Sequence, residues 1–171
     1  MNCRLNFPLW INAMLRQNMR AYFSENIHNY MESILVKNSG YIKLKKYDDG
    51  PDGSLSIVEQ LRDIPFKIKR VYYINKLKNR KSIRGHHAHK KLQQIIFCIN
   101  GSFILSLDDG EKKQHLIIKN DSTGILIGPG LWHTMSQFSN DCVLLVLASD
   151  YFKESDYIRN YENFLKWLRI K

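Results

Sequence analysis

Between Leu55 and Ala148 the chain is a succession of short apolar runs cut by turn residues, and this pattern narrows the fold more than any other feature. Leu55–Val58, Lys69–Ile74, Gln93–Ile99, Phe103–Leu107, Gln114–Ile118, Gly124–Ile127 and Cys142–Ala148 are each of strand length. Turn clusters separate them: Asp48-Asp49-Gly50-Pro51-Asp52-Gly53, Asn100-Gly101 and Asp108-Asp109-Gly110. Asn-Gly and Asp-Gly reverse a chain because glycine accepts positive φ without steric cost. Many short strands at regular spacing predict an antiparallel sandwich or barrel. Asn100-Gly101 reads as a hairpin tip.

The two ends differ from this middle. From Ile11 to Leu35 the large apolar residues recur at helical spacing (Leu15, Met19, Tyr22, Phe23, Ile27, Tyr30, Met31, Ile34), and Asn38-Ser39-Gly40 ends the pattern. Near the C-terminus Tyr157, Ile158, Tyr161, Phe164, Leu165 and Leu168 share one helix face, with Ser155 as its expected cap. The chain is therefore divided into an N-terminal helical extension, residues 1–40, and a β-domain with a C-terminal helix, residues 41–171. With 171 residues, 44% of them apolar, there is material for one good core.

Composition excludes several classes. No run of about 18 apolar residues exists, so no membrane span is expected. Arg4, Asn6, Pro8, Asn12 and Arg16 interrupt the apolar N-terminus, which makes a poor signal peptide, and the expected compartment is the cytoplasm. Cys3, Cys98 and Cys142 are too few and too scattered for a disulfide framework, and no CxxC pair offers a structural zinc site. The net charge of +10 suggests an anionic partner. No zinc-finger, RNP-like or helix-turn-helix pattern accompanies it, so nucleic acid is not expected. Basic residues clustered from Lys67 to Lys91 suit a small phosphorylated ligand better.

Arg84-Gly85-His86-His87-Ala88-His89-Lys90 carries three of the six histidines. On an extended segment His87 and His89 share a face and His86 points the other way. Two imidazoles at one spot suit a metal, acid–base chemistry near neutral pH, or a hydrogen-bonded core cluster. Gly85, His87, His89 and Gly101, followed by Gly124, Pro129, Gly130 and His133, resemble loosely the two motifs of the cupin barrel. That resemblance would bring His87, His89 and His133 together. In it Gln93 or Gln94 stands where a metal-binding cupin has its carboxylate, and a neutral amide is a weak ligand, so no metal is expected.

A closer resemblance covers about Gly53 to Tyr161. It is carried by Ile64-Pro65-Phe66, Lys69 to Ile74, Arg84 to Leu92, Asn100-Gly101-Ser102, Gly128-Pro129 with Trp132-His133, and Val146 to Tyr151 through Asp156-Tyr157-Ile158-Arg159. Together, in this order, these segments resemble the nucleotide-linked sugar 3,4-ketoisomerases, the WxcM-like or FdtA-type cupins. The resemblance implies a cupin-type antiparallel β-barrel (jelly roll) and a homodimer. It implies an isomerase without cofactor or metal, acting on dTDP-4-keto-6-deoxy-D-glucose. It places the catalytic pair at His87 and His89; of the two, His87 is favoured as the base at C3, with His89 moving protons between the ring oxygens or back to C4. Arg70 and Arg84 are then candidates for the diphosphate, and Tyr72, Gln94 and His133 for the sugar. His133 stands where the family sets the face on which C4 is protonated, and leans toward the galacto product. Asp52 stands where members carry Arg or Tyr, which leaves that stereochemistry open. The 3-keto product would feed a 3-amino-3,6-dideoxy sugar for a bacterial surface polysaccharide such as lipopolysaccharide O-antigen. A metal-dependent cupin, a sugar-nucleotide sensor and a 3,5-epimerase are the competing readings, the last without an evident His–Asp arrangement.

Overall fold

The computed structural model describes residues 33–77, 79 and 81–170. Their strands are β1 (Ser39–Lys43), β2 (Lys45–Asp48), β3 (Ser54–Ile57), β4 (Arg70–Ile74), β5 (Arg84–His89), β6 (Gln94–Asn100), β7 (Phe103–Asp108), β8 (Lys113–Ile118), β9 (Thr123–Ile127), β10 (Trp132–Ser136), β11 (Val143–Ala148) and β12 (Tyr157–Ile158). One α-helix, α1 (Tyr161–Arg169), follows. The expected helices between Ile11 and Leu35 fall almost wholly outside the described residues.

Two five-stranded antiparallel sheets, in the orders β1-β9-β6-β11-β4 and β12-β5-β10-β7-β8, form a jelly roll, and β2 and β3 pair as a separate hairpin. Alternation supplies the core. On β8, Gln114, Leu116 and Ile118 are buried, whereas Lys113, His115 and Ile117 face out. Between the sheets, Ile96, Cys98, Ile125, Ile127, Leu144 and Val146 pack against Phe103, Leu105, Leu107, Leu116, Ile118 and Met135. Burying each large side chain is worth about 1.5–3 kcal/mol. β6 breaks the alternation, because Ile95, Ile96, Phe97 and Cys98 are all buried. The reason is a second layer: Ile64 and Phe66 fold over Ile95, Phe97 and Leu147 on the sheet's outer face. On the other sheet α1 lays Phe164 against Ala88 and Ile158.

Two local expectations are corrected. Asn100-Gly101 is not a hairpin tip. β6 is already paired on both edges, by β9 and β11, so the chain must leave the sheet after Asn100. β7 joins the opposite sheet, and the crossing is held by the Ser102 N–H on Ser139 Oγ (2.9 Å) and Asn100 Nδ2 on the Asp141 carbonyl (2.8 Å). Nor does Ser155 cap the helix. Tyr157 and Ile158 are extended and pair with His89 and Ala88, so α1 starts only after Asn160. The Asn160 side chain accepts the Asn163 N–H at 2.9 Å and satisfies the first turn.

Candidate active site

His87 and His89 lie on β5, and the strand's two-residue period turns both rings inward. Just before them the strand is irregular. Register with β10 runs His133 to His87 and then Thr134 to Gly85, so His86 is the extra residue of a β-bulge. Gly85 (φ +87°) and His86 (φ +54°) both sit at positive φ. His86 is exposed as expected, and the bulge is what expels it. Directly across the ladder, the His133 ring centroid is 4.4 Å from that of His87. The three imidazoles meet between the sheets, with their nearest ligand atoms within 4.8 Å of one another.

The second sheet's histidines are met by side chains from the first. Gln94 on β6 places its amide nitrogen 3.2 Å from His133 Nε2, and its carbonyl oxygen accepts the Tyr72 hydroxyl at 3.1 Å. A Gln94 N–H therefore points at His133 Nε2, which accepts. The remaining His133 proton is on Nδ1, facing the Leu131 carbonyl at 3.4 Å. This chain holds His133 neutral, and complete burial, with the charges of His87 and His89, depresses its pKa well below the imidazole norm. Burial also pushes the Tyr72 phenol up to about 12.

The His87–His89 pair has a different problem. His87 Nδ1 lies 2.9 Å from the Gly85 carbonyl, which can only accept, so that nitrogen carries a proton. His89 Nδ1 lies 3.1 Å from Asp156 Oδ2. Both Nε2 atoms then face each other at 3.2 Å. In the neutral pair no hydrogen lies between them; one added proton completes the network. Burial lowers the pKa of both rings, that of His89 to about 4, where the charge of His87 lowers it further and Asp156 opposes the fall. The pair is thus a neutral base with a place prepared for one proton. As a metal site the donor set fits poorly. His133 Nε2 already accepts Gln94, and among the described residues no carboxylate joins the two nitrogens that remain.

A cavity of about 290 Å³ opens onto this cluster, lined by Arg70, Tyr72, Arg84, Gly85, His87, Gln94, His133, Met135 and Tyr157 among others. Of the catalytic and substrate-binding candidates named from sequence, Arg70, Tyr72, Arg84, His87, Gln94 and His133 line it, whereas His89 is 2% exposed and sits behind His87. Arg70 stacks on Tyr72 (5.3 Å), and its Nε is buried without a hydrogen-bond partner. Arg70 and Tyr157 also border a second cavity of about 400 Å³, rimmed by Lys69, Lys90, Lys91 and Lys153. Asp52 is exposed at the β2–β3 turn and lines neither of these cavities.

Two residues escaped the sequence reading as site members. Tyr157 packs its ring 4.4 Å from His89 and 4.9 Å from His87, under the Arg159 guanidinium. Asp156 supplies the carboxylate behind His89. Both lie in the segment that carried the resemblance, and only their pairing with β5 reveals their position.

The chain as a whole is similar to known proteins. The model of the FdtA family, described as WxcM-like, C-terminal, matches residues 37–169. A TDP-4-oxo-6-deoxy-alpha-D-glucose-3,4-oxoisomerase of Aneurinibacillus thermoaerophilus is 50% identical over 127 residues, which are 74% of this chain and 90% of that protein. A mutant of the 3,4-ketoisomerase QdtA from Thermoanaerobacterium thermosaccharolyticum, crystallised with TDP-4-keto-6-deoxyglucose, superposes with a TM-score of 0.77 at 41% identity, over 80% of this chain and 98% of that one. The Campylobacter jejuni TDP-quinovose 3,4-ketoisomerase WlaRB gives 0.72 at 39% identity, over 77% and 99%. With a jelly roll, a paired-histidine cavity and relatives matched along nearly their whole length, the chain belongs to the FdtA, WxcM-like C-terminal family of sugar ketoisomerases.

Proposed function

We infer that the protein is a dTDP-sugar 3,4-ketoisomerase that converts dTDP-4-keto-6-deoxy-D-glucose to the 3-keto isomer. The observation that carries this reading is the His87–His89 pair, with two Nε2 atoms 3.2 Å apart and each ring's Nδ1 facing an oxygen acceptor. The C3 proton is acidic because it lies alpha to the C4 carbonyl. A base removes it, the C4 oxygen takes a proton, and an enediol forms. Loss of the C3 hydroxyl proton and delivery of a proton to C4 complete the shift without net redox change. His87 borders the cavity and is the C3 base; His89 behind it exchanges the proton. Tyr72 and Gln94 hold the sugar oxygens beside His133. Arg70, with its unpartnered Nε, and Arg84 take the diphosphate.

We favour the galacto product, on the strength of His133 beside the base. A homodimer goes with this reading: β4 is the edge strand of its sheet and exposes Val71 and Tyr73. The compartment is the cytoplasm, where nucleotide sugars are made; among the described residues no helix is long and apolar enough to cross a membrane. The test is incubation with dTDP-4-keto-6-deoxyglucose in deuterated water, followed by NMR. A 3-keto product bearing deuterium at C4 is expected, and its C4 configuration reads out the stereochemistry. Unchanged substrate without exchange at C3 overturns the reading.

A further inference from the structure

We propose that Asp156 is a positioning residue for the isomerisation: its carboxylate fixes His89 as the Nδ1–H tautomer and so keeps the space between the two Nε2 atoms open for the substrate's proton. This deepens the function proposed above and rests on it.

The carboxylate makes three contacts, each with a donor. Oδ1 accepts the Lys91 N–H at 2.8 Å; Oδ2 accepts the Leu92 N–H at 3.3 Å and the His89 Nδ1–H at 3.1 Å. Its backbone is tied to the same strand end, since the Lys90 N–H donates to the Asp156 carbonyl at 2.9 Å and the next residue, Tyr157, pairs with His89. The group cannot swing away, and it presents only oxygen to the imidazole. A His89 lone pair on Nδ1 would face that oxygen, so the proton belongs on Nδ1 and the lone pair on Nε2. The Gly85 carbonyl does the same for His87. Two fixed acceptors, one at each outer edge of the pair, thus create the unfilled centre, and the negative charge of Asp156 offsets the proton that fills it.

Asp156→Asn separates this role from mere packing, because it is isosteric. The amide must put its NH2 at one of the two oxygen positions. At the Oδ1 position it would confront the Lys91 N–H across the shortest contact of the set; at the Oδ2 position it gives up only the long Leu92 contact and donates to His89 Nδ1. The second arrangement wins and forces the Nε2–H tautomer. That proton then fills the gap to His87 Nε2 without any proton from the substrate. The variant exchanges the long Leu92 contact for one between the two rings, so it stays folded yet is worse as a catalyst, a combination that a structural role does not produce.

The experiment has two arms. Histidine ¹H–¹⁵N correlation spectra of the full chain, without substrate, are expected to show His89 as Nδ1–H in the parent protein and as Nε2–H in Asp156→Asn. Turnover of the 4-keto sugar nucleotide is expected to fall about 10²–10⁴-fold in kcat, the scale of a wrong-tautomer defect, with KM within about threefold and a melting temperature unchanged or raised. A parent His89 in the Nε2–H form overturns the proposal even if the variant fails to fold. So does a folded variant that keeps kcat within about threefold. If the parent shows the expected tautomer but turns over no sugar nucleotide, the assignment of function fails and the role of Asp156 in setting the tautomer stands.

Discussion

Replacing Gly85 with alanine probes how the bulge builds the site. Gly85 has φ +87°, and a Cβ added there would lie 2.6 Å from the His133 carbonyl oxygen and 3.2 Å from Thr134 Cα. Both neighbours are backbone, so no side chain can rotate away, and β5 must separate from β10 by a few tenths of an ångström. Holding a non-glycine residue at this φ costs about 1–2 kcal/mol, and overpacking against a ladder adds about 1–3 kcal/mol. The sum, about 2–5 kcal/mol, corresponds to a melting temperature lower by roughly 4–20 °C for a chain of this size. The separation also acts on chemistry. His87 takes its orientation from the Gly85 carbonyl at 2.9 Å and faces His133 across the same ladder. A misplaced base then lowers kcat by about 10–100-fold. Thermal unfolding by circular dichroism and NMR turnover assays measure the two effects. Gly40→Ala is the control, because nothing lies within 4 Å of a Cβ there and its φ is not positive; it should match the parent in both assays. Gly85→Ala melting within about 1 °C of the parent with undiminished turnover would refute the argument.

His87→Asn or His89→Asn should abolish ketone migration while leaving the cooperative melt intact, since each removes one half of the Nε2 pair; residual product above about 1% of the parent rate would contradict the pair as base. Acidification should destabilise the fold. Burial lowers the pKa of His87, of His89 (to about 4) and of His133, so the unfolded chain binds protons first; stability is present above the ordinary imidazole value of about 6.5 and is lost as pH falls below it, for His89 down to about pH 4. Urea unfolding that is insensitive to pH over that window would rule out neutral burial. Phe164→Ala empties a fully buried site against Ala88, between the two catalytic rings' backbone positions, and should cost about 3–5 kcal/mol in urea titrations; a loss under about 1 kcal/mol would mean that α1 does not brace β5.

Some of this protein was already determined by its sequence. The short apolar runs and their Asp-Gly turns dictate an antiparallel all-β fold, because a strand's period and a glycine's freedom at positive φ are local properties. His87 and His89 were legible as a converging pair for the same reason: two residues apart on a strand is one face. The inward turn of Arg70 and Tyr72 follows from that alternation too. The tertiary structure decided what depends on partners far along the chain. Asn100-Gly101 has the chemistry of a hairpin, yet it crosses between sheets because both edges of β6 are taken by distant strands. Tyr157 and Ile158 have helical spacing, yet they form a strand because the free edge of β5 offers backbone hydrogen bonds that a helix start would forgo. That same pairing brings Asp156 to His89 across 67 residues of chain. The tautomers of the three histidines, and hence the place held open for a proton, arise only there, since each is set by the acceptor or donor that folding delivers to its other nitrogen.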